Sequence, residues 1–159
     1  MCSSDLGCTA TLHEGHVSQF GETSNVYRKP VNLTTAQVFS DPPLNIAVVT
    51  KQGNRCTLNA DVSWELAGVQ AQLDDGEYSI GVRPHHVLPT AITNGVEISG
   101  SVQVTELSGS ESVAHFRVGQ GSWVSQSEGI HPYQVGESHT FFMDVSKCFF
   151  FAADGRLVA

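Results

Sequence analysis

Apolar and polar residues alternate with a period of two along most of the chain after Leu44, which is the pattern of half-buried β-strands. The alternation is clear in VEISGSVQVTEL, where Ile98, Val102 and Val104 share one predicted face. Gly-rich and Asp-Gly turns separate such runs. Several short strands at intervals of about 8–12 residues predict a mainly β fold, a small barrel or sandwich.

The first forty residues follow a different pattern. LHEGHVSQFG predicts two strands joined by a Glu-Gly turn, and ETSNVYRKP predicts a short helix with Thr23 or Ser24 as its N-cap. VNLTTAQVF predicts a second short helix, which the prolines of SDPPLN end. We therefore expect short helices only near the N-terminus, and a boundary between two parts of the chain at Pro42 and Pro43.

The pentapeptide LSGSE, residues 107–111, is close to the LSGGQ signature with which ATP-binding cassette (ABC) ATPases contact a nucleotide. It lies between two alternating runs, so its Ser and Gly residues predict a hairpin turn instead of a helix N-terminus. The sequence also contains no GxxxxGK(S/T) phosphate-binding loop. We expect this chain by itself neither to bind nor to hydrolyse ATP.

Composition narrows the possible partners. The 159 residues have the size of one domain. The chain contains 8 Lys plus Arg and 16 Asp plus Glu, which gives a net charge of −8. Because the basic residues are scattered along the sequence, nucleic acid and anionic membrane surfaces are not expected partners. No apolar run approaches the ~18 residues of a spanning helix, and no secretory signal is visible, so we expect no membrane insertion and a cytosolic location.

The cysteines and histidines give no sign of a metal site. The cysteines have no CxxC spacing and are expected to be free, buried thiols; they are Cys2, Cys8, Cys56 and Cys148. His85 and His86 are adjacent on a predicted strand, where they would point to opposite faces. Carboxylates at residues 74–77 could suggest an independent hydrolase, but DDG is a turn signal, so no catalytic residue is predicted.

The N-terminal part resembles the end of the ATPase domain in bacterial sugar-type ABC importers. In that family a strand pair reading roughly G-x-(I/V)-x-Q-x-G leads to (I/V)-Y-x-x-P-x-N and then to P-P-x-N. The matching residues here are Gly15, Val17, Gln19, Gly21, Val26, Tyr27, Pro30, Asn32, Pro42, Pro43 and Asn45.

The remainder resembles the TOBE domain, the transport-associated OB-like β domain appended to such ATPases. IGVRPHHV is similar to that domain's LGIRPEHL element, VTELSGSESVAHFRV to its V-x-E-x-L-G-x-E hairpin, and FFFAADGRLV to its closing strand and turn. His85 stands where the family usually has Glu, and Ser108 where it often has Leu. The motifs occur in the family's order and span nearly the whole chain.

The resemblance implies a domain division and a function. Residues 44–159 would form the OB-like TOBE domain and residues 12–43 the C-terminal tail of an ATPase domain, whereas residues 1–11 match nothing expected and are interpreted as a possible non-native start. The implied function is regulation and dimerisation of the ATP-binding subunit of an importer for sugars, glycerol or related polyols.

The resemblance also implies partners and cofactors for the longer parent subunit. It would bind ATP and magnesium, pair with a second copy or a paralogous ATPase subunit, and contact a membrane permease at the cytoplasmic side of the inner membrane. No cofactor is expected in the part present here. The solute cannot be inferred, because in this family the permease and binding protein select it.

Two sets of candidate site residues follow. The alternative function is a small-ligand module for an oxyanion or solute, with a site formed by Arg83, Ser108, Gly109 and Ser110. The structural alternative is that Arg83 pairs with Glu106 or Glu111. The candidates for a regulatory or interface role are Glu106, Glu111, His115 and Arg117.

The domain division predicts unequal stability along the chain. If residues 12–43 are the tail of another domain, their apolar residues lack most of their partners; Val17, Phe20, Val26 and Tyr27 are in this position. We therefore expect residues from Leu44 onward to fold alone and the preceding segment to dock loosely.

Overall fold

A computed structural model describes residues 7–159. Its strands are β1 Cys8–His13, β2 His16–Glu22, β3 Asn45–Gln52, β4 Arg55–Thr57, β5 Ser63–Glu65, β6 Gly76–Val82, β7 Val87–Leu88, β8 Gly95–Leu107, β9 Glu111–Val118, β10 Gly121–Glu128, β11 Ser138–Asp144 and β12 Phe149–Phe151. Its helices are α1 Thr23–Arg28, α2 Leu33–Val38 and α3 Gly68–Ala71, with 3-10 turns at Pro84–His86 and Val145–Lys147.

The β-strands after residue 44 form two antiparallel five-stranded sheets. One has the order β10-β9-β8-β11-β7 and the other the order β12-β6-β3-β4-β5. Together they make a nearly closed barrel, which is consistent with an OB-like fold. The mainly β prediction is therefore confirmed. The hairpin of β1 and β2 is a separate two-stranded sheet.

Short helices are not confined to the N-terminal part, because α3 and the two 3-10 turns lie among the strands of the barrel. The predicted N-cap of the first helix also differs from the structure. Glu22 occupies that position without a side-chain capping bond, and the helix already begins at Thr23. The second helix has a regular cap, in which the Asn32 Oδ1 accepts a hydrogen bond from the Thr35 N–H at 2.9 Å.

Strand β8 joins the two halves of its sheet. Its first half pairs with β11 and its second half with β9, and the pairing register shifts between Val102 and Val104. This irregularity explains why Ile98 and Val102 are buried whereas Val104 is 49% exposed, against the predicted alternation. A bulge bends a strand and turns the following side chains to the other face. The bend lets one long strand serve both neighbours.

The barrel core is rich in aromatic side chains. The rings of Phe116 and Phe141 are stacked with their centroids 4.1 Å apart, and Trp64 and Trp123 are also buried. Burying side chains of this size stabilises a fold by roughly 1.5–3 kcal/mol each. In the Phe149–Phe151 strand only Phe149 is partly exposed.

The side chain of Asn45 connects the two sheets. It is 1% exposed, donates from Nδ2 to the Val124 carbonyl at 2.7 Å, and accepts the Val124 N–H on Oδ1 at 2.6 Å. The amide thus replaces a backbone pairing between β3 and β10. Because all these polar groups are paired inside the protein, the connection carries no desolvation cost for an unpaired group.

The N-terminal hairpin has its polar face inward. Thr11 on this face is buried and its hydroxyl lies 3.4 Å from that of Thr35 in α2. The apolar side chains on the outer face are exposed: Leu12 by 66%, Val17 by 59% and Phe20 by 70%. In most two-stranded hairpins that pack on a protein core the apolar face points inward and the polar face outward, so the polarity of this hairpin is reversed.

Arg83 holds the two N-terminal helices to the barrel. Its guanidinium donates hydrogen bonds to the carbonyls of Tyr27 and Phe39, each at 2.7 Å, and lies 3.6 Å from the centre of the Tyr27 ring. These carbonyls belong to the last turn of α1 and the C-cap of α2, where no helical N–H is available. Val26 and Ala36 are fully buried beside them. These contacts tie the helices to the barrel, whereas the hairpin's outer face lacks partners among the described residues. The loose docking of residues 12–43 stays a prediction.

The first prediction compares two glycines. Gly109 has φ +64° and open space where an added Cβ would lie, so Gly109→Ala should cost about 1–2 kcal/mol through backbone strain alone. Gly100 faces the Arg117 carbonyl oxygen and the Phe116 ring, so a methyl group there should cost about 3 kcal/mol by overpacking. Urea unfolding measures both values. An unchanged midpoint for Gly109→Ala would contradict the hairpin turn.

The second prediction concerns the Arg83 anchor. Arg83→Met keeps an apolar side chain but leaves the carbonyls of Tyr27 and Phe39 without donors, so the free energy of unfolding should fall by about 3 kcal/mol. Amide exchange should accelerate more at residues 27–39 than at residues 98–118. The exposed Arg117→Met is the matched control and should change neither measurement. Equal acceleration in both segments would show that Arg83 does not anchor the helices.

Candidate functional site

The structure does not bring Arg83 and the LSGSE turn into one site. Arg83 lines a cleft between the N-terminal helices and the barrel, and Ser108, Gly109 and Ser110 are not among the residues that line it. Within the described part of the chain, Arg83 forms no ion pair with Glu106 or Glu111. Its hydrogen bonds go to backbone carbonyls instead. The pairing alternative is therefore wrong.

The LSGSE segment is a hairpin turn between β8 and β9. The Ser108 N–H donates to the Glu111 carbonyl at 3.0 Å, and the Ser110 N–H donates to the Ser108 carbonyl at 2.6 Å. Gly109 takes the positive φ that the turn requires. Since two of the backbone N–H groups are used within the turn, they are not directed at an anion.

The regulatory candidates are divided between two places on β8 and β9. His115 and Glu106 lie on the outer face, with Nε2 and Oε1 4.0 Å apart, and Arg117 is exposed further along β9. Glu111 is at the turn, where its Oε2 accepts a hydrogen bond from Gln126 at 3.2 Å. Of these four candidates, Glu106 and His115 are the pair close enough for a direct ionic contact.

The cleft around Arg83 is the feature that sequence reasoning missed. It has a volume of about 1150 Å³ and lies between the end of α1, helix α3 and the Val145–Lys147 turn. Four basic side chains line it, namely Arg28, Lys29, Arg83 and Lys147. Because they are far apart in the sequence, no local pattern indicates that the fold assembles their charges.

His86 also lines this cleft but adds no charge to it at neutral pH. Burial is the main cause that lowers its pKa to about 4; neighbouring His85, Lys147 and Arg83 act in the same direction, and Asp144 opposes them. The two histidines occupy a 3-10 turn with ring centres 4.2 Å apart, so the expected opposite orientation on a strand is wrong. Residues 7–159 contain no cluster of three or more potential metal-binding side chains.

The cysteines are free thiols where the structure describes them. Cys56 and Cys148 are buried, and burial raises the pKa of Cys56 to about 11 and that of Cys148 far above its ordinary value. Both therefore stay protonated and unreactive at neutral pH. Cys8 is exposed, contrary to the expectation of buried thiols, because it lies on the hairpin. Cys2 lies outside the described residues.

The helices of residues 7–159 are all too short, or too polar, to cross a bilayer. No protein-family model matches the chain. Several curated proteins are similar to it in sequence. The chain is 30% identical over 151 residues to YcjV of Escherichia coli O6:H1, an uncharacterized ABC transporter ATP-binding protein; the match covers 92% of this chain and 42% of that protein.

Relatives with an assigned solute are also similar. The sn-glycerol-3-phosphate import ATP-binding protein UgpC of Pectobacterium atrosepticum is 24% identical over 149 residues, which cover 92% of this chain and 41% of UgpC. UgpC of Yersinia pestis is 28% identical over 118 residues, which cover 73% of this chain and 31% of that protein. The chain thus spans about two fifths of the length of the first relatives. ABC transporter ATP-binding proteins are therefore homologues of this chain, and the family resemblance of its motifs is confirmed.

Proposed function

We propose that this chain is the C-terminal regulatory and dimerisation part of the ATP-binding subunit of an ABC importer for sugars, glycerol or related polyols. Its homologues are ABC transporter ATP-binding proteins, some named for sn-glycerol-3-phosphate import. The sites for ATP and magnesium would lie in the part of the subunit that this chain does not span. Through that part the protein would contact a membrane permease on the cytoplasmic side of the inner membrane.

The observation that carries this proposal is the reversed polarity of the N-terminal hairpin. Leu12, Val17 and Phe20 form an exposed apolar face, while the threonines face the protein. Contiguous exposed apolar side chains mark surfaces that bind another protein surface. In the proposed assignment, residues 12–43 belong to an ATPase domain and the rest of that domain covers this face.

The domain boundaries follow from the same assignment. Residues 44–159 would be the TOBE domain, whose strands form the barrel. The proposed limit at Leu12 falls inside β1, which already begins at Cys8, so residues 8–11 are structurally part of the hairpin. Of the rest of the suspected non-native start, Gly7 is exposed and residues 1–6 lie outside the described residues.

The Arg83 anchor gives a physical route for regulation. Because it ties the ends of α1 and α2 to the barrel, a movement of the attached ATPase domain would carry the barrel with it. The outer face of β8 and β9 is the proposed contact with a second copy or a paralogous subunit. It carries Glu106, His115 and Arg117 beside the exposed Val104. A mixed apolar and charged face suits a symmetric contact.

The third prediction tests the hairpin face. Phe20→Ser should change the free energy of unfolding by less than about 0.5 kcal/mol, because the ring is 70% exposed. The same variant should bind less of a hydrophobic dye such as anilinonaphthalene sulfonate. Val26→Ser is the buried control and should cost about 2 kcal/mol or more. A large destabilisation by Phe20→Ser would show that this face is already packed within the chain.

The fourth prediction tests dimerisation. Sedimentation equilibrium should show a concentration-dependent dimer that Val104→Glu weakens at least about tenfold, since a new charge would be buried on the same face as Glu106. Val69→Glu, on the exposed side of α3, should leave the equilibrium unchanged. A monomer at all concentrations, or an equal loss in both variants, would contradict a dimer through β8 and β9.

A further inference from the structure

The cleft beside Arg83 concentrates positive charge in an acidic protein. Four of the eight Lys and Arg residues line it, whereas Glu65 is the one Asp or Glu side chain of residues 7–159 that does so. The whole chain has a net charge of −8. A concave site with the opposite sign to the rest of the molecule concentrates anions from solution.

The basic side chains come from different elements and different depths. Arg28 and Lys29 are exposed at the end of α1, and Lys147 is exposed in the turn on the barrel side. Arg83 is only 3% exposed and lies at the base of the cleft. The cations therefore surround the space from both the helical segment and the barrel.

Arg83 is a buried cation without a carboxylate partner among the described residues. Its guanidinium has five N–H groups, and the carbonyls of Tyr27 and Phe39 take two of them. Burial lowers the pKa of Arg83, which reflects the cost of keeping this charge out of water. An anion in the cleft would offset that cost.

The remaining lining indicates what kind of anion fits. Val96, Val145 and Phe149 provide apolar walls, while Asn94 and Ser146 provide an amide and a hydroxyl. The volume of about 1150 Å³ exceeds what an inorganic oxyanion needs and is comparable to sites for small organic ligands. Several cations favour a group with more than one negative charge, such as a phosphate.

We propose that this cleft binds a small organic phosphate, with the phosphate between the basic side chains and the organic body against the apolar walls. The ligand would contact Arg28 on the helical side and Lys147 on the barrel side, so its binding would strengthen the junction that Arg83 forms. This inference rests on the cleft alone and does not depend on the proposed importer role.

Isothermal titration calorimetry of the whole chain tests the proposal, with glycerol 3-phosphate and glucose 6-phosphate as probes at constant ionic strength. Glycerol, glucose and inorganic phosphate are the matched comparisons. We expect saturable binding of at least one organic phosphate, with a Kd at least about tenfold below that of its uncharged counterpart and of inorganic phosphate. Equal affinity for inorganic phosphate, or no saturable binding, would overturn the proposal.

Variants at the exposed rim locate the site without removing the anchor. Arg28→Gln and Lys147→Gln should each weaken the binding of the organic phosphate about fivefold. Arg117→Gln removes the same charge from β9, none of whose residues lines the cleft, and should leave the Kd unchanged. Equal weakening by all three variants would show a general charge effect and overturn the site. The binding experiments do not affect the unfolding of the hairpin variants or the dimer equilibrium. The phosphate site can therefore fail its test while the proposed function passes, and the reverse is also possible.

Discussion

The buried guanidinium of Arg83 joins the two short N-terminal helices to the barrel, together with an apolar cluster of Ala36, Leu44 and Phe151 and backbone hydrogen bonds between residues 31–33 and 155–157. Its two hydrogen bonds satisfy carbonyls at the ends of both short helices, and the Tyr27 ring covers its face. Helices of six residues are unstable by themselves, so their order depends on tertiary contacts of this kind. The same charge attracts anions into the cleft, and the anchor and the proposed ligand site therefore share one residue.

The barrel does not depend on the N-terminal segment for its closure. Asn45 bridges the two sheets, the irregularity in β8 bends that strand toward both of its neighbours, and the aromatic core lies between them. These contacts all fall after residue 44. The hairpin, in contrast, turns an apolar face outward, and this contrast in packing is what supports the assignment of the two parts to different domains.

Sequence patterns were sufficient for the strands and turns but not for long-range contacts. The period-two alternation and the turn residues predicted the β8–β9 hairpin, because both signals are local. The bulge after Val102 was missed, since alternation cannot reveal an extra residue in one strand. Nothing local indicates that the carbonyls of Tyr27 and Phe39 meet Arg83, or that Lys147 joins it in one cleft. The family motifs, which retain such long-range information, led to the correct homologues.

The central claim is that the hairpin and helices before Pro43 are the end of an ATPase domain. The DNA sequence upstream of the codon for Cys8 in the source genome tests this most directly. The account predicts one open reading frame that continues upstream and encodes a GxxxxGK(S/T) phosphate-binding loop ahead of the hairpin. An in-frame stop codon close to the start, with no such loop encoded upstream in that frame, would contradict it.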